Sequence, residues 1–448
     1  MLLGVVDTMM VGRFSRDALG AATLGHLWVM GTLIFGLGIL FGMDPIVTQA
    51  HGRGDLRAMG LALQRGLVLS VLLSIPVGAL WIWPDAILIR LGQDPELCRL
   101  ARGFILVQAP SLPVFFAFNA LRQFLQGRGV VKPALWVVIA ANVLNAFLNW
   151  CFIYGHLGCP ALGVTGSGLS TSITRFFLFF ALLALVLRGR LHADAWTPWS
   201  RESFRFAGLA EVLRHGTPVG IQIGLEVWAF QIATLLAGGL GTEALAAHAI
   251  VLNLASFSFM MPLGVSLGAV TRVGNLIGQR RYHRAQLAAW ISFAMGAGVM
   301  GVFAIIFVLL RWQLPRIYTT DAATLAAAAG ILPIAGAFQL FDGTQVVGGG
   351  VLRGMGRTRP AAVFNFVGYY AIALPLADGL SRAAGFGLPG IWWGLCFGLA
   401  AVAVALIVWV ARAGPWSMGP RRRAYRASGA AGSGERGAST ASTSTTTG

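Results

Sequence analysis

Long apolar runs separated by short polar breaks dominate the chain. Eleven of these runs are long enough to cross a bilayer, since a spanning helix needs about 20 apolar residues. They lie near residues 20–50, 59–83, 99–126, 131–154, 162–187, 212–239, 245–277, 285–312, 322–352, 359–381 and 386–413. A shorter apolar run at residues 1–14 is typical of part of a twelfth helix. The pattern therefore predicts an all-α membrane protein.

The two halves of the chain repeat each other at a nearly constant offset. The segment LQGRGVVKP from Leu125 corresponds to LRGMGRTRP from Leu352, and Gly52 lies 226 residues before Gly278. Parallel repeats of this kind are typical of transporters in which two halves alternate access to a central site. We therefore predict twelve transmembrane helices in two pseudo-symmetric six-helix lobes, at residues 1–190 and 212–413, joined by a cytoplasmic linker at 191–211.

The same offset predicts that the first helix is truncated. The helix that begins near His215 in the second half would begin before residue 1 in the first half. Because a spanning helix needs about 20 residues, we expect roughly a dozen residues of the first helix to be missing from this sequence.

Charge in this chain is sparse and unevenly placed. Only 11% of the 448 residues are charged, with 33 Lys and Arg against 16 Asp and Glu. The arginines concentrate in one set of alternate breaks and at Arg421–Arg423, so the positive-inside rule places those breaks and the C-terminus in the cytoplasm. The Ser- and Thr-rich segment 414–448 is predicted to be a disordered cytoplasmic tail.

The distribution of charge and cysteine also excludes several classes of protein. A nucleic-acid binder concentrates its basic residues on one polar face, which this chain does not do. The only lysine, Lys132, precedes Pro133, so there is no P-loop. The four cysteines have neither metal-ligand nor CxxC spacing and are expected to be free, packed thiols. We expect no cofactor and no enzymatic activity.

Acidic residues inside apolar spans are the strongest candidates for function. Asp7, Glu226 and Asp342 lie in such spans, where a carboxylate costs about 2.5–3.5 kcal/mol on insertion scales. Desolvation favours the protonated acid and a bound cation favours the carboxylate, so these sites could exchange H⁺, Na⁺ or an organic cation. That is the chemistry of an antiporter. For Asp44, which precedes Pro45 near a helix end, a buried pair or a cap is an equally good interpretation.

Polar side chains stand at helical spacing near these acids. Gln339 and Gln345 lie three residues before and after Asp342, on its helix face. Asn145 and Asn149 are four residues apart, and Thr171 comes early in the next span. Such groups could coordinate a cation or join helices by hydrogen bonds, and the second role is the more frequent one.

Several short segments of the chain form a combination that is specific, although each segment alone is a weak signal. They are Val6–Gly12 (VDTMMVG), Gln49–Gly52 (QAHG), Asn145–Gly155 (NAFLNWCFIYG), Gly216–Gly220 (GTPVG) with Glu226, Ala246–Ile250 (AAHAI), Pro262–Ser266 (PLGVS) with Arg272–Gly274 (RVG), and Asp342 with Leu352–Gly354 (LRG). Together these segments resemble the multidrug and toxic compound extrusion (MATE) transporters, and the resemblance covers residues 1–413. Asn149 makes it closest to the NorM-like bacterial branch, because other branches often carry Asp there.

The resemblance implies two six-helix lobes that rock between outward and inward states and export organic cations in exchange for Na⁺ or H⁺. It implies that Asp7 is the acid of the first-lobe cavity, with Asn145, Asn149 and Thr171 as polar neighbours. It also implies a cation site at Glu226 and Asp342, where Na⁺ could bind. Phe338 stands where cation-binding members often carry Tyr, which weakens the case for Na⁺ over H⁺.

We therefore expect a cation-coupled multidrug exporter of the bacterial inner membrane that acts as a monomer on small cationic compounds and binds no nucleic acid. The nearest alternative is a flippase for a lipid-linked or polysaccharide precursor. A flippase would need a basic cavity for phosphate, whereas the intramembrane charges identified above are mainly acidic. An intramembrane enzyme would need a catalytic arrangement that the spans lack. A channel is disfavoured by the repeat and by the absence of a re-entrant filter signal.

Overall fold

The computed structural model describes residues 7, 10–12, 16–90 and 92–419, and these residues fold into helices joined by short connections. In the first half, residues 7 and 10–12 are helical. The helices that follow are α1 (Arg16–Leu40), α2 (Met43–Arg53), α3 (Leu56–Ile82), α4 (Pro84–Arg90), α5 (Pro95–Leu106), α6 (Leu112–Gly127), α7 (Lys132–Tyr154) and α8 (Gly163–Arg188).

The second half repeats this organisation with longer helices. They are α9 (Phe206–Gly238), α10 (Thr242–Gly278), α11 (Tyr282–Leu309), α12 (Ala322–Gly354), α13 (Arg359–Phe366), α14 (Leu374–Asp378) and α15 (Leu388–Ala413). Two π-helical segments, Val367–Ala373 and Gly379–Ala383, flank α14.

All eleven complete spans predicted from the sequence are confirmed as helices long and apolar enough to cross a membrane. Two of the spans contain an interruption. The helices α1 and α2 together form one span, and α5 and α6 form another across a 3₁₀ turn at Ala109–Ser111. The span expected to begin near residue 212 begins instead at Phe206, where Arg205 is still in extended conformation. The described residues thus form a multi-pass membrane protein of the twelve-helix, two-lobe type.

Local chemistry explains where several helices begin and end. α2 ends at Gly54, whose φ of 72° is a left-handed conformation that glycine adopts without steric cost. The Asp55 side chain then accepts a hydrogen bond from the Ala58 backbone and caps α3. Asp94 caps α5 in the same way, with Pro95 at the first helical position. Each connection is short because the sequence carries a stop signal and a start signal side by side.

Several of the long helices contain a proline in their interior. Pro218 lies inside α9, Pro262 inside α10 and Pro333 inside α12. A proline lacks the backbone N–H that would close the helical ladder, and in membranes the freed carbonyl is tolerated where neighbouring helices surround it. The π-helical turn at Val367–Ala373 directly precedes Pro375. α9, α10 and α12 also carry or surround the candidate site residues of the second half.

The two halves meet at the end of the molecule that bears Arg53, Arg128, Arg188, Arg280 and Arg281, which we call the basic end. α1 packs against α9, and α2 packs against α10. Glycines permit this approach, since a Cβ added to Gly42 would lie 2.1 Å from the Val212 carbonyl oxygen. The contact residues lie in the last turns of α1 and in α2, so the lobes are joined tightly at the basic end.

Two arginines close to the ends of predicted spans lie inside helices. Arg122, within the predicted span 99–126, belongs to α6 and is half-buried. Arg353, one residue beyond the predicted span 322–352, belongs to the last turn of α12 and is only 7% exposed. The burial of Arg353 follows from the close contact of the two lobes at the basic end.

The segment between the lobes is held against the first lobe. Arg128 donates from Nη1 to the Leu191 carbonyl and from Nη2 to both carboxylate oxygens of Asp194, at 2.8 and 2.7 Å. Gln64 donates to the Thr197 carbonyl at 2.6 Å. At the other end of the chain, Pro415–Met418 forms a 3₁₀ turn. These residues belong to the segment 414–448 that was predicted to be a disordered tail, and the part of that segment from residue 420 onward lies outside the described residues.

Candidate functional site

Asp7 lies in the first lobe among neutral polar side chains. It is 2% exposed, and its carboxylate accepts hydrogen bonds from Asn149 Nδ2 at 2.5 Å and from Thr171 Oγ1 at 3.2 Å. Asn149 Nδ2 also lies 3.3 Å from Asn145 Oδ1. The structure thus brings together four residues that the sequence analysis had grouped only through the family resemblance.

Two asparagine atoms of this first-lobe cluster have no hydrogen-bond partner among the described residues. Asn145 Nδ2 and Asn149 Oδ1 are buried, and neither makes a hydrogen bond to that part of the chain. A buried polar atom without a partner costs about 1–3 kcal/mol, so such atoms mark places where a ligand or water completes the network. The cluster therefore offers one acid, one free donor and one free acceptor in a small buried volume.

Arg175 is the charged residue of the first lobe that the sequence analysis missed. It lies in α8 one turn after Thr171, is 5% exposed, and interacts electrostatically with Asp7. Its guanidinium donates to Ser111 Oγ at 3.2 Å and lies over the Phe115 ring at 4.8 Å. The segment TRFFLFF could have revealed an arginine inside an apolar run. Arg175 thus adds a basic group to the surroundings of Asp7 from a different helix.

Glu226 and Asp342 lie close together in the second lobe. Asp342 on α12 is 4% exposed, and it interacts electrostatically with the half-buried Glu226 of α9. Glu226 Oε2 accepts a hydrogen bond from Gln345 Nε2 at 3.2 Å. The same amide group lies 3.2 Å from the side-chain oxygen of Asn365. Gln339 instead donates to Ser258 on α10.

Polar atoms without a partner lie near the acid pair of the second lobe. Gln345 Oε1, Asn365 Nδ2 and Tyr369 Oη are buried and make no hydrogen bond to any described residue, and the same holds for Gln339 Oε1 on the helix of Asp342. Three of these four atoms are oxygens, the ligand type that hard cations prefer. Two carboxylates beside such oxygens can hold a proton on an acid or a small cation.

Tyr369 and Asn365 are second-lobe residues that the sequence analysis did not select. Tyr369 is fully buried, interacts electrostatically with both acids, and lies with its ring 6.0 Å from that of Phe230. It therefore brings a phenol to the pocket in which Phe338 has none. The signal was weak, because neither residue shares a helix with Asp342.

Within the described part of the chain, the three candidate acids take part in no ion pair. Seven ion pairs occur there, and each joins other residues. No group of three or more His, Cys, Asp or Glu side chains among these residues could hold a metal ion.

Comparisons with known proteins agree on one family. The chain matches the MatE family over residues 1–151 and 218–377. It is 35% identical over 421 residues to a probable multidrug resistance protein NorM of Mesorhizobium japonicum, a match that covers 91% of this chain and 89% of the relative. It is 32% identical over 412 residues to multidrug and toxin extrusion protein 1 of Mus musculus, covering 92% of this chain and 72% of that one.

Solved structures share the fold. The eukaryotic MATE transporter AtDTX14 superposes with a TM-score of 0.84 at 22% identity, covering 94% of each chain. The Vibrio cholerae MATE transporter VcmN in its bent form superposes with a TM-score of 0.78 at 18% identity, covering 91% of each chain. The matched sequence, the shared fold and the membrane-spanning helices lead to one conclusion: the chain belongs to the MatE family, whose members are membrane transporters and not enzymes.

Proposed function

We propose that this transporter exports cationic organic compounds from a bacterial cell across the inner membrane, in exchange for H⁺ or Na⁺. Relatives at 30% identity or more, over most of their length, are named as multidrug resistance or multidrug and toxin extrusion proteins. Small molecules are therefore the substrate class. The acidic residues of the two lobes favour cationic ones among them.

The positive-inside rule assigns the basic end to the cytoplasm, and the C-terminus with it. On this assignment the lobes meet at the cytoplasmic side in this conformation. The proposed lobes are residues 1–190 and 212–413, with a linker at 191–211 that Arg128 anchors to the first lobe. The basic tail that follows residue 413 would lie on the same side, and the transporter would act as a monomer.

One observation carries the proposal: Glu226 and Asp342 interact electrostatically inside the second lobe, beside neutral polar groups whose oxygens have no hydrogen-bond partner among the described residues. Two acids this close cannot both be charged without a cation or a proton between them. A structural role would have matched each acid with a basic side chain. Binding and release of a cation instead leaves the oxygens free in one state and occupied in another.

The coupling follows from competition for these acids. A proton or Na⁺ that enters from outside and binds at Asp7, or at Glu226 and Asp342, weakens the binding of a cationic substrate to the same lobe. A site that cannot hold both charges links the two fluxes through its differential affinity. Asn149 and Thr171 would keep the carboxylate of Asp7 oriented in both states.

The flippase alternative has less support. The buried Arg175 is a basic residue inside a span, so the intramembrane charges are mainly but not wholly acidic. Its guanidinium, however, contacts Ser111, Phe115 and Trp81 within the first lobe. The relatives over the whole chain are named for drug resistance and extrusion, which favours export of small compounds.

The test is efflux of ethidium from proteoliposomes under two imposed gradients, one of pH and one of Na⁺. The coupling ion is the one whose gradient drives efflux, and Asp342→Asn should abolish that efflux while Glu243→Gln, an exposed acid on α10, leaves it unchanged. Ethidium efflux that persists in Asp342→Asn, or that neither gradient drives, would contradict the proposal.

A further inference from the structure

A cleft lined by arginine lies where the ends of α2 and α10 meet. It has a volume of about 510 Å³, and no residue of the mechanism above contributes to it. We call it the arginine cleft, and its lining residues are Gly52, Arg53, Gly278, Gln279, Arg280 and Arg281. One side of the cleft belongs to the first lobe and the other side to the second.

The floor of the arginine cleft is a contact between the two lobes. A Cβ added to Gly52 would lie 2.1 Å from the Asn275 carbonyl oxygen, and one added to Gly278 would lie 2.9 Å from the Gly52 Cα atom. Gly52 and Gly278 are equivalent positions of the repeat, 226 residues apart, so the pseudo-symmetry axis passes between them. The cleft therefore exists only when the lobes meet at the basic end.

The charge of the arginine cleft is not neutralised within the described part of the protein. Arg53, Arg280 and Arg281 are exposed, and none takes part in any of its seven ion pairs. The helices α2 and α10 end here, and each end contributes a partial charge of about −0.5. Three guanidinium charges against two such ends leave an excess of about two positive charges.

The hydrogen-bond donors available to a ligand in the cleft are side chains, because the nearby backbone amides are already bonded. The backbone amides of Arg280 and Arg281 donate to the Ile277 and Leu276 carbonyls at 2.9 Å each. Arg280 has a φ of 60°, a conformation uncommon for a residue other than glycine. The acid that follows in sequence, Asp55, caps α3. Three guanidinium groups and the Gln279 amide are therefore the donors that face a ligand.

We propose that the arginine cleft binds a phosphate group, which bridges the lobes and stabilises the conformation in which they meet at the basic end. Guanidinium groups fit phosphate oxygens in pairs and hold them more specifically than a lysine ammonium does. The phosphate is either that of an anionic lipid headgroup or that of a soluble compound. This binding is independent of whether drugs are exported, so it stands or falls separately from the proposed function.

The test uses pyrophosphate as the probe and the purified full-length protein in detergent. The cleft variant carries Arg53→Gln, Arg280→Gln and Arg281→Gln. The control variant carries Arg188→Gln, Arg201→Gln and Arg214→Gln, which remove the same charge from exposed positions outside the cleft. Thermal unfolding is followed at constant ionic strength, and amide hydrogen exchange is measured at residues 49–54 and 275–281.

We expect pyrophosphate to raise the unfolding temperature of the wild type and of the control variant, and to slow exchange at both segments. In the cleft variant the apparent affinity should fall about tenfold or more for each guanidinium removed. Equal responses in all three proteins, or no response in the wild type, would overturn the proposal. The exchange measurement keeps the test valid if the cleft variant has a different unfolding temperature.

The source of the phosphate is decided in nanodiscs. In nanodiscs of phosphatidylcholine the pyrophosphate effect should match that in detergent. If added phosphatidylglycerol suppresses the effect in the wild type, the lipid headgroup is the ligand, and if it does not, the ligand is a soluble phosphate compound. Suppression of equal size in the control and cleft variants would show general attraction to the basic end and overturn the assignment to the cleft.

Discussion

Arg353 and Asp44 form an ion pair between the two lobes, with Nη1 and Oδ2 3.9 Å apart. Their side chains are only 8% and 3% exposed. Arg353 also donates to Ser266 Oγ at 3.2 Å, and its guanidinium lies over the Phe41 ring at 5.0 Å. Of the two interpretations of Asp44 left open by the sequence, the structure favours the buried pair. The pair lies beside the contact of α2 with α10, so it contributes to holding the basic end closed.

Breaking this pair should be more damaging from the acidic side. Removing one partner of a buried pair typically costs 3–5 kcal/mol, because the other charge stays buried without compensation. Asp44 interacts electrostatically with both Arg353 and Arg122, so Asp44→Asn leaves the buried Arg353 and the half-buried Arg122 without this acid. Arg353→Gln leaves Asp44 with Arg122. We expect Asp44→Asn to reduce the free energy of unfolding more than Arg353→Gln does.

A double-mutant cycle measures the coupling of the two residues by thermal or chemical unfolding in detergent. The double variant Asp44→Asn with Arg353→Gln should be more stable than Asp44→Asn alone, because it removes both buried charges. Strictly additive losses would mean that the pair carries no coupling energy and does not hold the lobes together.

Replacing Asp7 should stop transport without unfolding the protein. Asp7→Asn has nearly the same shape, keeps an oxygen for Asn149 or Thr171, and cannot exchange a cation. We expect ethidium efflux to fall to the level of empty vesicles. Thr171→Val removes only the 3.2 Å hydrogen bond to the carboxylate and should weaken efflux partially. The unfolding temperature of both variants serves as the control, and efflux at the wild-type rate in Asp7→Asn would exclude a role for this acid.

The sequence was sufficient to predict the spans and the buried acids. Hydropathy over about 20 residues is a strong signal, and all eleven complete spans are helices in the structure. Asp7, Glu226 and Asp342 were recognisable because a charge in an apolar run is costly and therefore conspicuous. Both inferences depend on local composition alone, which a single sequence contains.

Contacts between segments that are distant in the chain could not be predicted from the sequence. Tyr369 reaches the second-lobe acids from a helix that follows α12, and the Asp44–Arg353 pair joins residues 309 positions apart. No periodicity within one helix encodes such a contact. Arg353 was assigned to a break because it stands at the last turn of α12, although packing of the lobes buries it. A residue that stands next to a break in the hydropathy pattern can therefore still be shielded from water.

Removing the hydroxyl of Tyr369 should weaken binding of the coupling cation. Its Oη is buried, interacts electrostatically with Glu226 and Asp342, and makes no hydrogen bond to any described residue. The oxygen is therefore available to coordinate a cation, and the hydroxyl is available to donate a hydrogen bond to a carboxylate. We expect Tyr369→Phe to reduce the apparent affinity for the coupling cation about tenfold, the equivalent of one hydrogen bond to a charged group. The affinity for ethidium should change little.

The neighbouring tyrosine provides the matched control. Tyr370 Oη donates to the Leu225 carbonyl at 3.2 Å, so Tyr370→Phe loses a hydrogen bond to the backbone and keeps the second-lobe pocket intact. The dependence of ethidium efflux on pH and on Na⁺ concentration is measured for both variants. If the dependence of efflux on pH and on Na⁺ concentration changes equally in the two variants, Tyr369 has a purely structural role.

A methyl group at the lobe interface should open the basic end. A Cβ on Gly278 would lie 2.2 Å from the Gln49 carbonyl oxygen, which no side-chain rotation relieves. Overpacking of this kind costs about 1–3 kcal/mol, and separation of the lobes relieves it. We expect Gly278→Ala to speed amide hydrogen exchange at residues 49–54. Gly268→Ala, on the same helix with nothing within 4 Å of its added Cβ, should leave exchange there unchanged.

The linker contact between Arg128 and Asp194 should depend on pH in a defined direction. Burial opposes ionisation of Asp194, but its hydrogen bonds and charge interaction with Arg128 are stronger, and they lower the pKa of Asp194 below its ordinary value of 3.8. A carboxyl group with a lowered folded-state pKa stabilises the protein above the unfolded-state value, and that contribution is lost as the pH falls through the folded-state value. Asp194 is 57% exposed, so solvent screening limits the contribution at neutral pH to about 1 kcal/mol.

Asp194→Asn should therefore lower the free energy of unfolding at pH 7, and the difference from wild type should narrow as the pH falls below about 4. Salt at 1 M should narrow it as well, because it screens exposed charges. Asp378→Asn breaks the more exposed pair with Arg382, whose side chains are 58% and 53% exposed, and should have a smaller effect. A loss in Asp194→Asn that is independent of pH would show that the side chain acts by shape, and that the charge of Arg128 does not anchor the linker.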